Sequence, residues 1–235
     1  MERKLLLIII DGVPLRNWTR LFRNLEGWAE TGLARRWVMK SVLPSTSASC
    51  YASIHTGVAP QTHGITGNRN TFRVQFPDVF SELRKNNKIT GAVTHSFWSE
   101  FFNRRPFDPV QDIEYDEPDS VSINHGRFYT MSGYGLVNQM TPSDADLFAI
   151  VTNLCKRFSI DYAILHTCTL DSMGHRFFNE CKEMDYDVIV TSDHGQDNRG
   201  HHGGSNSMQQ EFALYYFGDA IFSGRKDVSL NPVSY

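Results

Sequence analysis

Three short apolar runs lead into carboxylates or histidines, and this repetition constrains the fold more than any other feature. The runs and the polar residues that follow them are residues 4–10 before Asp11, residues 162–165 before Asp171 and His175, and residues 188–191 before Asp193 and His194. Runs that are apolar at every position are typical of parallel strands buried on both faces. Ligands of such sheets bind beyond the carboxyl ends of the strands. The pattern predicts an α/β fold with its polar site at one edge of a mostly parallel sheet.

Segments between these runs predict helices that cover the sheet. Residues 17–32 and 144–158 have apolar side chains at helical spacing, and residues 76–86 predict a further helix. Additional strands are predicted over residues 36–43, 89–94 and 212–218, the last at or near the edge of the sheet. Together these elements predict a three-layer α/β/α sandwich, formed as a single domain over residues 1–235.

Residues 103–142 differ from the rest of the chain, because they are rich in Pro, Asp, Tyr and Gly and lack sustained periodicity. We interpret them as a small cap insertion, a kind of segment that usually determines substrate choice. Within it, His125, Tyr129 and Tyr134 either reach a substrate or lie at the surface, and we expect the surface position for each. The aromatic group that follows the strand over 89–94, with His95, Phe97, Trp98 and Phe102, either forms a substrate wall or packs beneath the cap.

Composition excludes several classes of function. The 235-residue chain is 40% hydrophobic, which suffices for one core, and its net charge of −3 predicts neither a nucleic-acid polymer nor an anionic membrane as partner. Cys50, Cys155, Cys168 and Cys181 lack CxxC spacing, which argues against a cysteine zinc site and a disulfide scaffold. The apolar run over residues 5–10 is too short for a signal sequence or a membrane span. We expect a soluble, cytoplasmic protein.

The polar residues at the strand ends favour a metal site. Aspartate and histidine are ligands that suit Zn, Mn or Fe. Asp171 and His175 lie four residues apart after a buried strand, so that both can reach a single ion. Asp and Gly are ordinary turn residues and explain one such strand end, but they explain three of them poorly.

A run of hydroxyl residues precedes a predicted helix that ends at Gly57. Ser45, Thr46, Ser47 and Ser49 lie at or near the start of this helix, where any of them can act as an N-cap. The same position lies at the positive end of the helix dipole, where backbone N–H groups bind phosphate and a metal ion can activate a hydroxyl as a nucleophile. The residue pattern alone does not choose among the four.

Taken together, the segments IIIDG, PSTSASCYASIHTG, LDSMGH, and SDHG followed by HGG resemble the alkaline phosphatase superfamily. Within it, they are most similar to the type I phosphodiesterase and nucleotide pyrophosphatase branch, which includes phosphonoacetate hydrolase-like enzymes. The similarity runs in order from residue 5 to residue 204. It implies an α/β/α sandwich that holds two divalent metal ions, usually zinc, with Mn or Fe as alternatives.

The resemblance also implies a role for each matching position. It assigns Asp11, Ser47, Asp193 and His194 to one metal, and Asp171, His175 and His202 to the other. Counting back from Thr56-Gly57 places the nucleophile at Ser47, with Thr46 as the alternative, and His201 is the alternative to His202. The implied mechanism is an in-line displacement through a phosphoserine intermediate.

Two features depart from the family pattern. Cys50 stands where some relatives have an asparagine that contacts the phosphate, and residues 176–186 leave a short crossover where relatives have a full helix. On the basis of the resemblance, we expect a metal-dependent hydrolase of phosphoric esters, acting on a small phosphodiester or nucleotide-type substrate. The alternatives are a phosphonate hydrolase, a phosphomutase and a catalytically impaired metal-binding homologue.

Overall fold

The computed structural model describes residues 3–117, 119, 121–130, 132–133, 139–140, 142–168 and 185–218. The strands in this part of the chain are β1 (Lys4–Ile10), β2 (Arg35–Lys40), β3 (Thr90–His95), β4 (Glu114–Asp116), β5 (His125–Tyr129), β6 (Ser132–Gly133), β7 (Gln139–Met140), β8 (Tyr162–Thr167), β9 (Tyr186–Thr191) and β10 (Glu211–Phe217). The helices are α1 (Leu15–Leu21), α2 (Arg23–Glu30), α3 (Ser47–Thr56), α4 (Pro60–His63), α5 (Val79–Lys85), α6 (Phe97–Phe102), α7 (Asp144–Phe158) and α8 (Ser207–Gln210).

Eight strands form one sheet in the order β2-β10-β9-β1-β8-β3-β5-β4. Strand β1 lies inside the sheet and is parallel to both of its neighbours, and its Leu7 lies opposite Ile164 of β8 and Ile189 of β9. β3 and β5 extend the parallel part, whereas β10 and β4 run antiparallel to their neighbours. The carboxyl ends of β1, β8 and β9 therefore meet at the same edge of the sheet.

Side chains of β1 alternate between two cores, one on each face of the sheet. Leu6, Ile8 and Ile10 belong to the core that α1, α2 and α7 complete, and Leu7 and Ile9 belong to the core that α3, α5 and α6 complete. Each of these buried Leu and Ile side chains contributes about 1.5–3 kcal/mol to the free energy of folding. The predicted three-layer sandwich is confirmed.

The helix predicted over residues 17–32 is two helices. Phe22, with φ −107° and ψ 53°, separates α1 from α2, and its ring lies 4.7 Å from the ring of Trp18, centroid to centroid. Both side chains are buried, so packing of the Phe22 ring against the sheet accompanies the break. The helix over residues 144–158 is confirmed, and the Ser143 side chain accepts a hydrogen bond from the Asp146 N–H.

Part of the segment predicted as a cap insertion, 103–142, belongs to the central sheet. β5 pairs with β3 in parallel register, with Gly91 opposite His125, and β4 forms the edge strand beside β5. The surface positions predicted for His125 and Tyr129 are therefore wrong, because both side chains are buried. Tyr134 lies outside the described residues.

Several predictions fall on parts of the chain that the structure does not describe. These are Asp171, His175, the crossover residues 176–184 and the tail 219–235. Among the helices that are described, none is both long enough and apolar enough to cross a membrane.

Candidate active site

Asp11 and Ser47 come together because β1 and α3 pack against each other. Asp11 directly follows β1. Side chains alternate between the two faces of a strand, so the Asp11 carboxylate lies on the same face as Leu7 and Ile9, which α3 covers. Ser47 is the first residue of α3, and its Oγ lies 3.4 Å from Asp11 Oδ2 and 3.2 Å from His194 Nε2. The structure thus places a hydroxyl between a carboxylate and an imidazole at the strand ends.

The two oxygens of the Asp193 carboxylate have different surroundings. Oδ1 accepts a hydrogen bond of 3.1 Å from the Gly12 N–H, and Gly12 adopts φ +69° in the turn after β1. Oδ2 is buried and has no hydrogen-bond partner among the described residues, although His194 Nε2 lies 3.2 Å away. A buried carboxylate oxygen without a partner is costly, and a bound cation removes that cost.

The histidine ring beside it has the orientation of a metal ligand. His194 Nδ1 lies 3.0 Å from the Gly195 carbonyl oxygen, to which it donates its proton. Nε2 therefore presents a lone pair toward Ser47, Asp11 and Asp193. The ligand atoms of Asp11, Asp193 and His194 all lie within 4.8 Å of one another. These donors fit a divalent ion that accepts oxygen and imidazole ligands.

The charges of the site are unbalanced without a cation. Burial opposes ionisation of Asp11, but the hydrogen bond with His166 and the charges of His194 and His166 hold its pKa well below the usual range. Burial and the negative charge of Asp11 raise the pKa of Asp193. Burial disfavours the charged form of His194, yet the two carboxylates raise its pKa. Two carboxylates sharing one histidine thus favour a further positive charge.

The glycine loop after β9 brings His202 to this site. The ring of His202 stacks on the ring of His194 at 4.5 Å between centroids and 11° between planes. Ser45 holds the loop, since its hydroxyl accepts from the Gly203 N–H and donates to the Gly204 carbonyl. His201 has an exposed side chain, and its Nδ1 lies 3.6 Å from Asp197 Oδ2. The histidine directly before Gly203 is therefore the one beside His194.

The four hydroxyls that the sequence left open have separate contacts. Ser47 contacts Asp11 and His194, whereas the Thr46 and Ser49 hydroxyls pair with each other at 2.8 Å. The Thr46 side chain makes no cap hydrogen bond to α3, and the Ala48 N–H is bonded by Asn68 Oδ1 at 2.9 Å. Of these four hydroxyls, Ser47 is the one that contacts both Asp11 and His194 in the described part of the chain.

Sequence reasoning missed a group of buried side chains on the other side of Asp11. His166 of β8 is 1% exposed and hydrogen bonds to Tyr51 of α3 and to Tyr129 of β5. The available signal was a histidine at the carboxyl end of an apolar run, the same pattern that singled out Asp11. Trp98 and Phe102 are buried in the core, which agrees with the packing alternative for these two residues, whereas His95 and Phe97 are only partly buried.

The structure brings Asp11, Ser47, Asp193, His194 and His202 together, and their roles stay predictions. A family model for type I phosphodiesterase / nucleotide pyrophosphatase matches residues 5–129. The chain belongs to this family. The predicted resemblance to the alkaline phosphatase superfamily and to this branch of it is confirmed.

Relatives of this phosphodiesterase-family chain include the venom phosphodiesterase of Naja atra, 25% identical over 183 residues that make up 75% of this chain and 21% of that protein. Among solved structures, phosphonoacetate hydrolase from Sinorhizobium meliloti 1021 in complex with phosphonoformate has a TM-score of 0.55 at 18% identity, covering 83% of this chain and 56% of that one. An inactive variant of murine ectonucleotide pyrophosphatase / phosphodiesterase 5 in complex with AMP has a TM-score of 0.54 at 14% identity, covering 84% and 59%. The chain thus spans a fifth to three fifths of these relatives.

Proposed function

We propose that this chain is a metal-dependent hydrolase of phosphoric esters with Ser47 as its nucleophile. The observation that carries the proposal is the position of Ser47 Oγ, 3.2 Å from His194 Nε2 and 3.4 Å from Asp11 Oδ2 at the start of α3. A hydroxyl used only as a helix cap would bond to the helix backbone, whereas this one contacts two side chains that are predicted metal ligands. Membership of the phosphodiesterase family supports the same chemistry.

Asp11, Asp193 and His194 would hold one divalent ion, together with Ser47. The unpaired Asp193 oxygen supports this set, as does the His194 ring, whose Nδ1 bonds to the Gly195 carbonyl while Nε2 faces Ser47 and the two carboxylates. A divalent ion bound there would lower the pKa of the Ser47 hydroxyl and offset the negative charge of the phosphoryl group. His202 would serve a second ion with Asp171 and His175, as the family resemblance implies. Zinc is the proposed metal, with Mn or Fe as alternatives.

In the proposed reaction Ser47 Oγ attacks phosphorus as the ester oxygen leaves on the opposite side. The Oγ–P bond forms, the P–O bond to the leaving group breaks, and the Ser47 proton passes to the solvent or the leaving oxygen. Water then cleaves the phosphoserine and regenerates the hydroxyl. The start of α3, left without a side-chain cap by Thr46, supplies the positive end of a helix dipole for the phosphoryl oxygens.

The proposed substrate is a small phosphodiester or nucleotide-type molecule. Phosphonate hydrolysis is the second candidate, supported by the likeness to phosphonoacetate hydrolase, and Cys50 counts against a nucleotide-type substrate. The Cys50 side chain is buried, and burial together with the charges of Asp193 and Asp11 raises the pKa of its thiol. A protonated thiol is a weak hydrogen-bond donor and cannot replace an amide on a phosphate. We also propose a cytoplasmic location.

Replacement of the nucleophile tests this function. We expect Ser47→Ala to lower kcat/KM for bis(p-nitrophenyl) phosphate by about a thousandfold or more, because the covalent route is lost. Ser49→Ala is the matched control, since Ser49 lies on the same turn of α3, is fully buried and bonds to Thr46. Removal of metal by a chelator should abolish turnover in the wild-type protein, and added Zn²⁺ should restore it.

The same assay separates the alternatives. Equal turnover by Ser47→Ala and the wild-type protein refutes Ser47 as the nucleophile. Phosphate release from phosphonoacetate without hydrolysis of the diester supports the phosphonate alternative. A chain that binds zinc but hydrolyses neither compound is an impaired homologue.

A further inference from the structure

A continuous line of hydrogen bonds ends on the Asp11 carboxylate. The Tyr129 hydroxyl lies 2.7 Å from His166 Nδ1, and the Tyr51 hydroxyl lies 2.6 Å from His166 Nε2. The Tyr51 hydroxyl also donates a short hydrogen bond to Asp11 Oδ2, and His166 Nε2 lies 3.3 Å from the same oxygen. The line connects β5, β8, α3 and the end of β1.

The donors in this line have a defined direction. A phenol has one proton, and the Tyr51 proton goes to Asp11, because an ionised carboxylate only accepts hydrogen bonds. The Tyr51 oxygen must then accept from His166, so the Nε2 atom of His166 carries a proton. The His166 proton thus fixes the Tyr51 oxygen, and the Tyr51 proton in turn goes to Asp11 Oδ2. Hydrogen bonds to an ionised acceptor are stronger than those between neutral groups.

Aromatic packing holds this line in one geometry. Tyr51 and His166 are each 1% exposed, and Trp98 is fully buried. The Trp98 ring stacks on Tyr51 at 3.9 Å and lies 5.0 Å from the His166 ring, centroid to centroid. Tyr51 lies one helical turn after Ser47, so the helix that presents the hydroxyl also presents the donor to Asp11. Side chains packed in this way have little freedom to choose other partners.

We propose that Tyr51 and His166 are positioning residues, which fix the Asp11 carboxylate so that Oδ1 faces His194 and the ion proposed there. This inference rests on the proposed function. With Oδ2 held by Tyr51 and His166, the other oxygen lies 3.8 Å from His194 Nε2. Partners that orient a metal ligand contribute to metal affinity without touching the ion.

The test is the affinity for Zn²⁺, measured by competition with a chromogenic chelator. Tyr51→Phe removes one oxygen and keeps the ring, and we expect it to weaken Zn²⁺ binding about 10–100-fold. His166→Leu should weaken it similarly, and the double variant no further than either alone. His166→Gln supplies an N–H for Tyr51 and an oxygen for Tyr129, so it should restore affinity close to that of the wild-type protein.

The chain offers a matched control in Tyr162→Phe. Tyr162 is buried on β8, and its hydroxyl lies 3.3 Å from His55 Nε2. Among the described contacts, neither Tyr162 nor His55 bonds to Asp11. This variant should lose some thermal stability and bind Zn²⁺ as the wild-type protein does. A loss of affinity in Tyr162→Phe equal to that in Tyr51→Phe would overturn the positioning role, since any buried hydroxyl would then suffice.

Asp11→Asn separates the failure of this inference from failure of the proposed function. If Asp11→Asn weakens binding while Tyr51→Phe and His166→Leu do not, the positioning role is overturned and the metal site stands. If the wild-type protein itself does not bind Zn²⁺ in competition, the proposed function fails, and the positioning role with it. Tyr51→Phe keeps the test decisive even if His166→Leu does not fold.

Discussion

Helix α3 and strand β8 meet through two tyrosine–histidine pairs of reversed arrangement. Tyr51 of α3 bonds to His166 of β8 at 2.6 Å, and His55 of α3 bonds to Tyr162 of β8 at 3.3 Å. Residues four apart lie on one face of a helix and also on one face of a strand, so the two pairs are neighbours. We call them the site pair (Tyr51–His166) and the core pair (His55–Tyr162).

The two pairs differ in what surrounds them. The site pair lies at the carboxyl end of β8 and bonds to Asp11. The core pair lies one turn further along α3, where the His55 ring stacks on Phe80 at 4.8 Å and an aromatic shell excludes water. Burial there lowers the pKa of His55 to about 4. The same two residue types, tyrosine and histidine, thus serve a polar site at the strand end in one pair and apolar packing in the other.

We expect Trp98→Ala to have the largest effect, because the Trp98 ring contacts both the site pair and the core pair. Removal of a fully buried tryptophan is expected to lower the free energy of unfolding by about 3–5 kcal/mol. Because Tyr51 loses its stacking partner, we also expect weaker Zn²⁺ binding. Urea unfolding and chelator competition measure the two effects.

Phe80→Ala is the control for that variant. Phe80 is fully buried and packs on His55 and Tyr162. It should cost stability of similar size and leave Zn²⁺ affinity unchanged. Loss of affinity in both variants would show that general loosening of the core, and not the site pair, governs metal binding.

The pH dependence of the free energy of unfolding tests the surroundings of the core pair. The pKa of His55 is about 4 in the folded chain against 6.5 for the unperturbed group. As the pH falls from 6.5 to 4, the unfolded chain takes up a proton that the folded chain refuses, so His55 lowers stability by about 3 kcal/mol over this window. His55→Phe should remove this part of the pH dependence. Urea unfolding of both proteins across the window measures it, and equal slopes would contradict a buried, uncharged His55.

The sequence predicted the elements that depend on local pattern. The apolar runs ending at Asp11 and Asp193 marked β1 and β9, and Ser143 with the spacing over 144–158 marked α7. These predictions succeeded because burial on both sheet faces and helical amphipathicity are readable within one segment.

The partners across the sheet were not readable in this way. The site pair joins residues 51 and 166, and the strand that carries Tyr129 is only five residues long within a segment of turn-like composition. Its place beside β3 follows from packing of the whole sheet, so the surface position predicted for Tyr129 was wrong. The break of the helix at Phe22 likewise accompanies burial of the Phe22 side chain in the core beneath the sheet, which one segment alone does not reveal.

We propose above that Asp11, Asp193 and His194 form a metal site beside Ser47. The most direct test is a crystal structure of the zinc-loaded protein with anomalous data at the zinc edge. We expect an anomalous peak about 2.0–2.2 Å from ligand atoms of Asp11, Asp193 and His194, with Ser47 Oγ facing it. A zinc-loaded crystal with no peak among these three side chains, or with zinc only at exposed histidines such as His201, would contradict it.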